Sequence, residues 1–149
     1  MSMITLHKAL KLKNRLIQRL NECSNLIRSN NSVIVGNERD CDVKEQLERR
    51  RSLSTRLVQL KINIEKASMP IRDKILLQSE MKDEIKLLKQ LDCTQGKKSE
   101  RWGSGPAEEY EACISDAVRR QMTSGLEDQI DALQDEINSF NISTMVEEV

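Results

Sequence analysis

Aromatic side chains are almost missing from this chain: one Trp, one Tyr and one Phe make up 2% of its 149 residues. A β-sandwich or barrel draws on many more aromatic and β-branched residues, so a sheet-based core is not expected. Cysteines at metal-ligand spacing are missing too. Cys23, Cys41, Cys93 and Cys113 lie far apart, with no C-x-x-C pair, and His7 is the one histidine. That argues against a zinc site and against a secreted disulfide framework, and neither metal nor cofactor is expected. Cys93 and Cys113 flank one loop and are the two able to meet, which would matter only under oxidation. Long apolar runs are absent as well. No stretch approaches membrane-spanning length, and the N-terminus, charged at Lys8, lacks the apolar core of a signal peptide. A soluble, cytoplasmic protein is expected. Catalytic groupings are also lacking: His7 has no recognisable partner, the acids decorate helix exteriors, and no E-x-x-H motif marks a bundle metal site. The residues identify no reaction, and the expectation is a chain that is not an enzyme.

What is present is helix-forming material. Charged residues make up 32% of the chain, and Leu, Ile, Lys, Glu and Arg dominate. The pattern predicts an all-α fold in one domain, 1–149: an antiparallel bundle of four long helices, built as two helical hairpins. The helices are placed at about 5–29, 43–68, 70–92 and 108–141, with loops at 30–42 and 93–107. In the first, Leu6, Ala9, Leu10, Leu16, Ile17, Leu20, Cys23 and Ile27 share one broad face. The helix is read as ending at Asn30-Asn31, and Val33-Ile34-Val35 before Gly36-Asn37 as a covering loop. The second opens on Asp42, positioned to cap its own first turn with Glu45. Met69-Pro70 is read as the break before the third helix. The fourth starts behind Pro106, shows an early face of Tyr110, Ile114 and Ala117, and continues in a seam of Met122, Leu126, Ile130, Leu133, Ile137 and Phe140. The two faces are turned apart, so a bend or change of partner is expected at Ser124-Gly125.

Net charge is zero overall but unevenly distributed. Residues 1–30 carry five net positive charges and 107–149 nine net negative ones. A basic first helix and an acidic last helix are a natural complementary pair within one molecule. The alternative is an exposed basic surface for nucleic acid or lipid. Its residues would be Lys8, Lys11, Arg15 and Arg19, which cluster opposite the apolar face of the first helix. Arg49-Arg50-Arg51 is the most basic run, but its side chains point about 100° apart and no aromatics stand near for stacking.

Two positions of the second helix, Arg50 and Lys61, fall in its predicted seam. Either the buried face is rotated towards Leu53, Val58 and Leu60, or these cations pair with acids of another helix and set register or oligomeric state. The 93–106 segment holds three of the five glycines and Trp102. Gly96-Lys97-Lys98-Ser99 has a faint likeness to a phosphate loop, but the earlier Gly and the preceding strand are lacking, which excludes a Walker motif. Trp102 reads as a plug on the bundle end or an anchor for a partner. With Tyr110, Ile114, Arg50 and Lys61 it makes up the candidate interaction surface.

The ends of the second and fourth helices, Ile64-Glu65-Lys66-Ala67-Ser68-Met69 and Ile137-Asn138-Ser139-Phe140-Asn141-Ile142, follow a similar pattern. With Ala9-Leu10 through Asn30-Asn31, the Asp42-initiated helix, and Gln129-Ile130-Asp131-Ala132-Leu133, this layout resembles a septicolysin-like family of small helical bacterial proteins of unknown function. The resemblance covers most of the chain. The family's pattern ends both hairpins in an Ile-Asn-x-Thr-Asn-like motif; here the first copy is degraded and the 93–106 loop departs from it. The resemblance implies a pore-forming, membrane-active role, whereas the residues offer no apolar hairpin long enough to span a bilayer and an acidic last helix that anionic lipid would repel. The residues favour a non-enzymatic helical interaction or assembly module, its partner a second copy or a larger protein. The alternatives are the cytolysin-like protein and a basic-face nucleic-acid binder.

Overall fold

The computed structural model describes residues 2–98, 105 and 107–149. The elements run β1 (Met3–Thr5), α1 (Leu6–Asn30), α2 (Val43–Ser68), a 3-10 turn (Met69–Ile71), α3 (Arg72–Gln90), β2 (Gly96–Lys98), β3 (Glu108–Tyr110), α4 (Asp116–Ser143) and β4 (Met145–Glu147). They divide into two compact units. Unit 1 comprises Met1–Ile71 with Asn138–Val149, and unit 2 comprises Arg72–Ile137.

Unit 1 is built on the α1–α2 pair. The Thr5 hydroxyl accepts from the Lys8 amide at 3.2 Å and starts α1; the Asp42 carboxylate accepts from the Lys44 and Glu45 amides at 3.0 and 3.2 Å and starts α2. Each cap satisfies amides that the first helical turn leaves open. Leu6, Ala9, Leu16 and Cys23 of α1 pack against Leu53, Leu57, Leu60 and Ile64 of α2, and Val146 of β4 joins the same core. Burying a leucine of this kind is worth roughly 1.5–3 kcal/mol. The buried face of α2 takes in Leu53 and Leu60 beside Leu57 and Ile64 of the expected seam, and leaves out Val58. Val58 and Lys61 are exposed, while Arg50 donates to the Ser24 hydroxyl at 2.9 Å. The chain ends close this unit: β1 pairs antiparallel with β4, Met3 opposite Glu147, Ile4 opposite Val146 and Thr5 opposite Met145. Arg56 donates to the Val149 carbonyl at 3.1 Å and Asn63 to the Glu147 carbonyl at 3.2 Å, holding β4 against α2.

Buried Asn30 staples the loop between α1 and α2. Its side chain donates to the Leu26 carbonyl and accepts from the Asp40 amide, both at 2.9 Å, and Arg39 donates to its main-chain carbonyl at 2.9 Å. Asn31 keeps right-handed helical geometry rather than a left-handed cap. Val33-Ile34-Val35 does not cover the core: Ile34 and Val35 protrude into solvent on a turn completed by Gly36 at φ +94°. The left-handed φ is one that glycine adopts without penalty.

In unit 2, α3 and α4 run antiparallel. Gln78 lies buried between them and donates to the Gln134 side chain at 2.9 Å and to the Ile130 carbonyl at 3.3 Å. Lys74 pairs with Glu136 at 2.8 Å and Lys89 with Glu127 at 3.9 Å. Ile85, Leu88 and Ile137 are the buried apolar side chains here among the described residues. A second ribbon, β2 with β3, sets Lys97 opposite Glu109 and Lys98 opposite Glu108.

The all-α class and the four-helix bundle are overturned. The described residues form three helical runs, 6–30, 43–90 and 116–143, and two antiparallel two-stranded sheets. A bundle of two hairpins needs a loop between its second and third helices. Here a single 3-10 turn joins α2 to α3, and the backbone at Met69 is still right-handed helical. Pro70 fits this turn because a first-turn residue needs no amide hydrogen. The fourth helix also starts later than expected. Glu108–Tyr110 is a strand, and the cap belongs to Ser115, whose hydroxyl accepts from the Val118 amide at 3.2 Å. From there α4 continues unbroken through Ser124-Gly125.

Candidate functional site

A helix places residues three, four and seven apart on one face. Lys8, Lys11 and Arg15 follow that spacing on α1, and they line one open groove of about 320 Å³ with Ile4, Leu12 and Glu148. All three cations are exposed, and none has an ion-pair partner among the described residues. Arg19, also exposed, lies one turn further along and does not line the groove.

Unit 2 contains two other open depressions. The first, about 360 Å³, is lined by Lys89, Asp116, Arg119, Arg120, Thr123, Ser124 and Glu127. Its charges engage one another: Asp116 binds Arg119 and Arg120, and Arg119 also donates to the Leu91 carbonyl at 2.9 Å. The Arg120 and then the Arg119 hydrogen bonds hold the Asp116 carboxyl below its ordinary range. This arrangement secures the start of α4 to the end of α3 and leaves little charge free for a ligand. The second depression, about 560 Å³, differs in kind. Leu77, Met81 and Leu87 of α3 and Leu126 of α4 form its apolar walls, and Glu80, Asp83 and Glu84 supply its charge, with Gln129 alongside.

The five residues of the expected interaction surface are not gathered together. Arg50 and Lys61 belong to unit 1, Tyr110 and Ile114 to unit 2, and Trp102 lies outside the described residues, as does Pro106. Tyr110 is exposed on β3; its hydroxyl donates to the Glu108 carboxylate at 2.9 Å, which raises the phenol pKa. Ile114 is half-buried just ahead of α4. Cys93 and Cys113 are free thiols, as are Cys23 and Cys41. His7 is exposed in the first turn of α1. Among the described residues no group of three or more His, Cys, Asp and Glu is placed to hold a metal ion, and no helix is long and apolar enough to cross a membrane.

The basic groove was visible in the sequence as a face of the first helix. The acid-rimmed groove was missed, because Glu80, Asp83 and Glu84 look like an ordinary exposed helix side until Leu77 and Leu87 are seen beside them. The expected complement of basic first and acidic last helix takes another form: the paired acids Glu127 and Glu136 of α4 engage Lys89 and Lys74 of α3.

The fold thus belongs to mostly helical proteins made of paired amphipathic helices with short ribbons. No family model matches the chain, and no curated protein matches it. Among solved structures, a functionally unknown conserved protein from Corynebacterium diphtheriae superposes with a TM-score of 0.81 over 98% of this chain and 100% of its own, at 18% identity. The likeness establishes a shared fold.

Proposed function

We propose that the chain is a non-catalytic helical assembly module that associates with a second copy of itself through unit 2. One observation carries this reading. On α3, Leu76, Leu77 and Leu87 are 54%, 49% and 59% exposed, and Ile75 of α3 with Val118 and Met122 of α4 are also exposed. A pair of helices covers one strip of each partner and leaves the flanks wet. Aliphatic side chains on those flanks gain roughly 25 cal/mol for each Å² removed from water, which drives association when a further helix covers them. Sedimentation velocity across the micromolar range tests the reading. A defined oligomer is expected; a strictly monomeric species at every concentration would overturn it.

A further inference from the structure

Resting on that self-association, we infer that the basic groove of α1 in one copy docks onto the acid-rimmed groove of α3 and α4 in a second copy. The two grooves are complementary in both charge and apolar content. One presents three cations, Lys8, Lys11 and Arg15, against the single acid Glu148 around Ile4 and Leu12; the other presents Glu80, Asp83 and Glu84 among Leu77, Leu87 and Leu126. The cations have no carboxylate within ion-pair distance among the described residues, nor do Glu80 and Glu84 have a cation. Asp83 has a loose contact with Lys86 at 3.7 Å, both side chains being well exposed. Lys8 to Lys11 and Glu80 to Asp83 are both three-residue steps, a rise of about 4.5 Å along either helix. Two helices laid side by side therefore bring both pairs within reach together. Exposed ion pairs alone contribute little. Here they flank aliphatic surface, so the leucines supply the attraction while the charges select the partner and its register. Every copy carries both halves, so each groove has its complement on another copy. A second copy is therefore the occupant that satisfies both grooves.

The test is charge exchange. The variant K8E/K11E/R15E and the variant E80K/D83K/E84K are each expected to self-associate roughly tenfold or more weakly than the wild type, since the attraction between the two grooves becomes repulsion. An equimolar mixture should recover association, because each variant then meets its complement. Wild-type association should also weaken as salt is raised. The altered side chains are exposed, and circular dichroism checks that helicity is kept; where a triple variant loses its fold, K8E and E80K provide the same exchange. A wild-type oligomer unaffected by reversal overturns the docking while leaving self-association through another face intact. A mixture that stays dissociated overturns it as well. Salt-sensitive nucleic-acid binding that is lost in K8E/K11E/R15E, with oligomerisation unchanged, would assign the α1 groove to that ligand instead. A wild type that is monomeric throughout removes both the docking and the function proposed above.

Discussion

In unit 1, α1 and α2 meet through leucines on both sides, and the paired chain ends add Val146 to the same core. In unit 2, α3 and α4 meet around a hydrogen-bonded glutamine, two lysine–carboxylate pairs and a few buried aliphatics, while several leucines of α3 remain in solvent. Both units are made from amphipathic helices, yet they hold together differently. Apolar packing is strong and tolerant of exact alignment. A buried amide with one set of partners contributes less energy and fixes which turn faces which. The comparison teaches that unit 1 is held by leucine packing, whereas unit 2 has register built in; both leave aliphatic side chains in solvent, Ile34, Val35 and Val58 in the first and Leu76, Leu77 and Leu87 in the second. The exposed leucines of α3 are the surface proposed above for self-association.

The sharpest way to break this comparison is to truncate one leucine in each unit. Leu60 is fully buried, and Leu60→Ala is expected to cost about 2–5 kcal/mol in chemical denaturation. Leu87→Ala should change the stability of the monomer by no more than about 0.5 kcal/mol, while weakening self-association in sedimentation. Equal losses of stability would erase the distinction between the units.

Gln78→Ala examines what holds unit 2. It removes the hydrogen bonds to Gln134 and Ile130 and should cost roughly 1–3 kcal/mol, read from urea unfolding. A neutral result would mean that the buried amide does not set the pairing of α3 with α4.

Caps allow a finer comparison. Asp42→Ala in unit 1 and Ser115→Ala in unit 2 each remove a side chain that accepts first-turn amides, and each should cost about 1 kcal/mol. A larger loss at Ser115 would show that unit 2 depends more on local structure than on packing.

The smallest effect concerns pH. Asp116 is held below the ordinary carboxylate value of 3.8 by Arg120 and then Arg119. A group lowered in this way supports the fold above that value, and its support disappears as pH falls through the lowered one. Neutral pH should therefore leave the start of α4 unaffected. A carbon-detected titration should find Asp116 low, and Arg120→Gln should raise it more than Arg119→Gln does.

Much of the helical content was legible in the residues. Leu6, Ala9, Leu16 and Cys23 mark the buried face of α1 because their spacing has one geometric solution, and Asp42 marks the start of α2 because an acid ahead of an apolar-periodic run satisfies open amides. The strands were not legible. Each has three residues, too few to show a period of two, and Glu108–Tyr110 continues smoothly into helix-like sequence. The 3-10 turn at Met69–Ile71 was hidden for a related reason, since proline ends one helix and begins another equally well. The basic face of α1 could be read directly; the acid-rimmed groove could not, because spacing says which residues share a face and not which face finds a partner.

What the sequence by itself determined is local: where helices form, which stripe of each is apolar, where caps stand, and that positive charge collects early and negative charge late. Only the tertiary structure decided that β1 pairs with β4, that Arg50 binds a serine hydroxyl rather than an acid, and that Leu76, Leu77 and Leu87 of α3 stay wet while Leu88 is buried. Those outcomes depend on competition between distant segments for the same apolar surface. In unit 1 that competition ends with leucine against leucine, and in unit 2 it ends with a buried glutamine between the two helices.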